Sequence, residues 1–182
     1  DCNYEKMLSM TIKSSFANQG QICLCGSRIF VEKSIYLKFK KDFIARVRDL
    51  KIGDPFVSTT NIGALVSKPH LEKVVSYINL AKEEGGKILT GGNKVTVKGS
   101  ENGYYLEPTV IEILNQQCRI NQEEIFGPVV TIMPFDTEEE VLVMANSVKY
   151  GLSATLWTNN IDRTMRISKK IETGIVWVNT WL

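Results

Sequence analysis

The run Val129-Val130-Thr131-Ile132-Met133-Pro134-Phe135 is apolar at nearly every position. A strand with one wet face alternates apolar and polar side chains, so a near-continuous apolar run calls for cover on both faces. Helices packed on either side of a mainly parallel sheet give that cover. The rest of the chain alternates accordingly. Met7, Leu8, Met10, Ile12 and Phe16 mark a buried helix over Tyr4 to Ala17, followed by a short strand from Arg28 to Glu32. Ser34 is expected to cap a helix reaching about Leu50, with Ile35, Phe39, Phe43, Ile44 and Val47 on one face, broken by Gly53-Asp54-Pro55. Ser67-Lys68-Pro69-His70 opens another helix with Leu71, Val74, Val75, Ile78 and Ala81 inward, and Lys87 to Thr90 follows as a strand.

In the second half, Asn93 to Gly103 reads as a polar loop or hairpin, Tyr105 to Ile113 as extended, and Glu123 to Phe126 as a connector. Thr137 and three glutamates open a helix to Asn146, with negative charge placed well against its N-terminal dipole. Ser153 to Thr158 and Gly174 to Asn179 read as strands flanking a helix from Ile161 to Ile171. The expected fold is α/β, a three-layer sandwich with a mainly parallel sheet, forming one domain over residues 1–182.

A formal net charge of +2 gives no strong pull toward nucleic acid or a membrane surface. No apolar run approaches the roughly 20 residues that span a bilayer, and Asp1-Cys2-Asn3-Tyr4 does not begin a signal peptide. Cys2, Cys23, Cys25 and Cys118, beside a single histidine, fit neither a zinc site nor a disulfide framework, so no metal is expected. They fit a reducing, cytoplasmic setting.

Two stretches carry chemistry. Phe16-Ala17-Asn18-Gln19-Gly20-Gln21-Ile22-Cys23-Leu24-Cys25-Gly26-Ser27-Arg28 leads a thiol out of a helix through a polar turn toward a strand. Such a turn can present a thiolate nucleophile at the floor of a cleft, although most free cysteines are inert core residues. Cys25 lacks matching support and reads as a packed spectator. In Glu123-Glu124-Ile125-Phe126-Gly127-Pro128-Val129, an ionised Glu124 could accept hydrogen bonds from two hydroxyls, and Gly127-Pro128 would fix the bend. The plainer alternative is a charged turn leading into a core strand.

The first stretch resembles the Phe-x-Asn-x-Gly-Gln-x-Cys motif of the aldehyde dehydrogenase superfamily, and the second its Glu-Ile-Phe-Gly-Pro signature. Tyr150-Gly151-Leu152-Ser153-Ala154 and Gly174-Ile175-Val176-Trp177-Val178-Asn179 resemble two more of its segments, in the family's order. The resemblance implies a catalytic domain in which Cys23 attacks an aldehyde and passes through a thiohemiacetal and a thioester. It implies that Glu124 holds the ribose of NAD or NADP, that Phe126 walls the nicotinamide, and that Asn179 and Trp181 line the substrate channel. The substrate implied is a small-molecule aldehyde, and the full-length parent is implied to be a homo-oligomer. The runs around Cys23 and Trp177 look most like the branch acting on 2-hydroxymuconic or 2-aminomuconic semialdehyde, with betaine aldehyde dehydrogenases as the alternative.

The family's Glu-Leu-Gly-Gly general-base segment, its dinucleotide-binding domain and its Pro-Phe-Gly-Gly segment have no counterpart here. Both ends read as cut from a longer protein, and the 182 residues alone are expected to be inactive or nearly so. Two other classes stay open. One is an interaction domain that keeps the fold without the chemistry. The other is a cysteine hydrolase, for which His70 is the single available partner.

Overall fold

The computed structural model describes residues 1–113 and 115–182. Its centre is a four-stranded sheet in the order β1 (Arg28–Glu32), β6 (Val129–Phe135), β5 (Thr109–Glu112), β2 (Lys87–Thr90). β6 lies parallel to both neighbours, with Arg28 opposite Thr131 and Thr109 opposite Val129, and β2 closes one edge antiparallel. A second parallel pair, β7 (Ser153–Leu156) with β8 (Ile175–Val178), is hydrogen-bonded separately from it. The α/β class with a mainly parallel sheet is as expected.

Burial of β6 on both faces is what makes three layers. Val130 and Ile132, with Val110 of β5, pack against α1 (Tyr4–Phe16) and α2 (Lys33–Arg48) through Met7, Leu8, Phe39 and Phe43. Val129 and Met133, with Ile111, face the other way into Leu71, Val74 and Ile78 of α3 (Lys68–Glu83). Thr131 interrupts the apolar run, and its hydroxyl donates to the buried Asn121 Oδ1 at 2.8 Å, so the burial leaves no orphan there.

Some local expectations need correction. α2 begins at Lys33 behind Glu32 and has no side-chain cap; the Ser34 hydroxyl instead donates to the Glu32 carboxylate at 3.0 Å. Its buried stripe is Tyr36, Phe39, Phe43 and Val47, which leaves Ile35 exposed. Tyr36 can occupy the inner face because its hydroxyl reaches Glu112 Oε1 at 2.6 Å. The stretch from Tyr105 is broken at Glu107-Pro108 into β4 (Tyr105–Leu106), which pairs with β3 (Lys94–Val95), and β5. A short helix α4 (Arg119–Gln122), not expected, precedes the connector; the Glu84 carboxylate at the end of α3 takes its Arg119 N–H at 3.1 Å. α5 (Glu138–Ala145) starts at Thr137 as read, and α6 (Ile161–Lys170) joins the last two strands. Among the described residues, no helix is long and apolar enough to cross a membrane.

Candidate functional site

α1 ends at Phe16, and the chain then takes three successive left-handed residues, Asn18 (φ 48), Gln19 (φ 57) and Gly20 (φ 70). Asparagine and glycine adopt this conformation readily, but a glutamine costs roughly 1–2 kcal/mol there. Contacts to a distant segment offset that cost. Gln19 Nε2 donates to the Ala64 carbonyl, and Gln21 Oε1 accepts the Val66 N–H, both at 3.1 Å. Gly20 has a steric role as well, since a Cβ there would lie 2.1 Å from the Gly127 carbonyl oxygen. The cysteine turn and the connector before β6 therefore meet backbone to backbone.

This contact makes a small cleft of about 70 Å³ lined by Cys23, Glu124 and Phe126, together with Ser15, Gly20 and Ile22 among others. Cys23 is exposed. Among the described residues, nothing accepts the Cys23 amide N–H, and nothing donates to the Glu124 carboxylate. Ile125 is buried between Glu124 and Phe126, so the alternation turns both flanking side chains outward. Phe126 is itself left-handed (φ 62), and a tight turn returning the Val129 N–H to the Gly127 carbonyl at 2.7 Å leads into β6.

The other thiols differ. Cys25 is half-buried, its Sγ points to the Ala17 carbonyl at 3.8 Å, and burial pushes its thiol up to about 11. Cys118 is buried, and burial again raises its thiol. Both are poorer nucleophiles for that reason. His70 is not among the cleft-lining residues; its Nε2 is 2.6 Å from the Phe126 carbonyl oxygen, to which it can only donate. His70 thus stands outside the cleft that holds Cys23, which leaves the hydrolase alternative without a base lining the cleft among the described residues.

Asn179 and Trp181, expected on a channel wall, both hydrogen-bond to backbone groups. The Asn179 amide pairs with both backbone groups of Thr158, accepting its N–H at 3.1 Å and donating to its carbonyl at 2.8 Å. Trp181 is 3% exposed, and its indole N–H donates to the Leu24 carbonyl at 2.9 Å. It braces the cysteine turn from the protein side, and neither residue lines the cleft.

Sequence reasoning missed Ser15, Gln19, Gln21 and Lys73. Ser15 is buried beside the cleft with no partner for its hydroxyl among the described residues. The two glutamines stand in the quoted motif, but nothing local shows that their amides reach residues 64 and 66. Among the described residues, no group of three or more His, Cys, Asp or Glu side chains could hold a metal ion.

The donor set in the cleft fits a nicotinamide dinucleotide: an unengaged carboxylate suits the hydroxyls of a sugar, an outward aromatic ring suits a flat heterocycle, and a thiol lines the same cleft. An α/β fold thus brings a thiol, a carboxylate and an aromatic ring to one cleft. The aldehyde dehydrogenase family model matches residues 1–182, and the chain belongs to the aldehyde dehydrogenase family. It is similar to the 2-aminomuconic semialdehyde dehydrogenase of Mus musculus, at 49% identity over 100% of this chain and 38% of that protein. It is also similar to the 2-aminomuconic 6-semialdehyde dehydrogenase of a Pseudomonas species, at 45% over 100% and 37%. Betaine aldehyde dehydrogenase of Staphylococcus aureus, solved in complex with NAD+, superimposes with a TM-score of 0.96 at 37% identity, over 100% of this chain and 36% of that one. A variant of that enzyme has been solved with a BME-modified cysteine. The chain spans at most 38% of the length of these relatives.

Proposed function

We propose that these residues form the thiol wall of an NAD(P)-dependent aldehyde dehydrogenase. One observation carries the reading: Cys23 is exposed in the same cleft as Glu124 and Phe126, which lie about a hundred residues later in sequence. Cys23, once deprotonated, forms a bond from Sγ to the aldehyde carbon, and the carbonyl oxygen takes up the charge. The Cys23 N–H, uncommitted among the described residues, would hold that oxyanion. Glu124 would hold the ribose of the cofactor and Phe126 would wall its ring; when bound, the cofactor supplies a hydride acceptor. Loss of hydride from the thiohemiacetal carbon leaves a thioester on Cys23. Water cleaves it to the carboxylic acid and restores the thiol.

A cleft of about 70 Å³ falls far below the roughly 300 Å³ at which small-molecule sites begin, and Glu124 is the only carboxylate among its lining residues. The dinucleotide-binding domain and the water-activating base are therefore proposed to lie outside these 182 residues, and the chain by itself should not turn over aldehydes. A muconic semialdehyde is favoured as substrate by the 49% and 45% identities to enzymes named for one, against 37% to a betaine aldehyde dehydrogenase. The four free thiols support a reducing, cytoplasmic setting. A homo-oligomeric parent is part of the same reading.

The test is aldehyde oxidation by the intact enzyme that carries this sequence, followed as reduced cofactor. Cys23→Ser should lose at least about 10³-fold in kcat, as removal of a nucleophile does, with unchanged melting. The muconic semialdehyde should give the higher kcat/KM of the two candidate substrates. A Cys23→Ser enzyme retaining a tenth of its rate would end the proposal.

A further inference from the structure

One stripe of α3 follows the cofactor-facing connector along its length. Tyr77 donates its hydroxyl to Glu123 Oε2 at 2.6 Å, Lys73 Nζ donates to the Glu124 carbonyl at 3.1 Å, and His70 Nε2 lies 2.6 Å from the Phe126 carbonyl. Val74 closes the series, since a Cβ on Gly127 would come within 2.7 Å of its side chain. Residues 70, 73, 74 and 77 share one helix face. The seven-residue rise from His70 to Tyr77 is about 10 Å, and three extended residues from Glu123 to Phe126 also cover about 10 Å. Helix and connector thus run antiparallel in matching register, and the helix end of that register falls on Phe126.

Phe126 needs such a hold. It is a bulky residue at φ 62, a conformation costing roughly 1–2 kcal/mol without compensation. Released, it would relax toward ordinary backbone angles and carry its ring, and the Glu124 carboxylate two residues earlier, away from Cys23. The histidine ring also meets the phenyl ring edge-on, with centroids 6.4 Å apart. We propose that His70 is a positioning residue: by donating Nε2–H to the Phe126 carbonyl, it locks the connector in the left-handed conformation that keeps Glu124 and Phe126 on the cleft. The cofactor side of this inference rests on the reading of Glu124 and Phe126 given above.

The first readout needs no activity. Chymotrypsin cleaves after phenylalanine, and limited digestion of the folded protein reports how freely the Phe126–Gly127 bond opens. His70→Ala should raise cleavage at that bond by about fivefold, the equivalent of one hydrogen bond. Gln has the same number of bonds to its amide nitrogen and should restore wild-type cleavage in His70→Gln. Asn is one methylene short, so His70→Asn should behave like His70→Ala; the Gln and Asn variants differ too little for global misfolding to mimic the contrast. In the intact enzyme, His70→Ala should raise KM for NAD by about fivefold with kcat within about twofold, again one hydrogen bond's worth, and His70→Gln should reverse it. Unchanged cleavage in His70→Ala, or no rescue by His70→Gln, overturns the lock. Faster cleavage with an unchanged KM for NAD overturns the cofactor reading of the connector and, with it, the purpose assigned to His70.

Discussion

In the four-stranded sheet, local preference and tertiary position agree. Every residue of β6 from Val129 to Met133 is buried, four of these five are apolar, and the ladder satisfies the backbone. Around the cleft they disagree. Asn18, Gln19 and Phe126 are three of the five non-glycine residues with positive φ among the described residues; the cysteine turn grips the backbone of residues 64 and 66 with its own glutamines and takes the Trp181 indole N–H, and the connector is held by His70 and Lys73. The sheet is stabilised by apolar area that neighbouring residues bring with them. The cleft is stabilised by individual hydrogen bonds to backbone groups far away in sequence. Conflict of that kind collects where a protein positions chemistry, and here it marks both walls of one site.

The two regions should therefore respond differently when perturbed. The largest contrast lies between two thiols two residues apart. With burial holding Cys25 up to about 11, its alkylation by iodoacetamide should climb about tenfold per pH unit from pH 8 to pH 10, and about a hundredfold over that range. Tandem mass spectrometry can assign the label, and Cys23 should be modified first at pH 8. Equal labelling of the two would erase the distinction between a presented and a packed thiol.

Next in size is a substitution in the sheet. Ile132 is fully buried, and Ile132→Ala should cost about 3 kcal/mol in urea unfolding. The Cys23 alkylation rate of the folded protein should stay within about twofold of wild type, since Ile132 is not among the residues lining the cleft. A large change in that rate would mean that the sheet, rather than the hydrogen bonds around the turn, sets the thiol's position.

The smallest effect belongs to Glu123, where the connector begins. The Arg119 guanidinium, followed by the Tyr77 hydroxyl, holds its carboxyl at about 2. A carboxylate held low adds stability that is complete above the ordinary range near 4 and is lost as the pH falls toward 2. Glu123→Gln should be slightly less stable at neutral pH and show a flatter decline below pH 4 by thermal melting. The group is solvent-exposed, so the difference should shrink in high salt.

Most elements were legible along the chain because their signals are local. The apolar period of α3 with its Ser67 cap, the Thr137 start of α5 and the doubly buried β6 each lie within about one helical repeat. Misreadings came where a distant partner decided. Ile35 lost its expected place to Tyr36 because Glu112, far along the chain, accepts the tyrosine hydroxyl. The four residues of α4 carry no periodicity of their own and depend on Glu84 for a cap.

The cleft divides in the same way. Cys23, Glu124 and Phe126 could be named from their motifs, since each motif is a short run of adjacent residues. That Trp181 would turn its indole N–H to Leu24, that Gln19 and Gln21 would grip residues 64 and 66, and that His70 would close on Phe126 were settled only on folding. Sequence alone determined which family motifs the chain carries and the layers it must fold into, because motif, composition and period act over a few residues. Tertiary structure decided how the thiol and the carboxylate come to share one cleft, because the strained left-handed residues Gln19 and Phe126 are held by partners far along the chain.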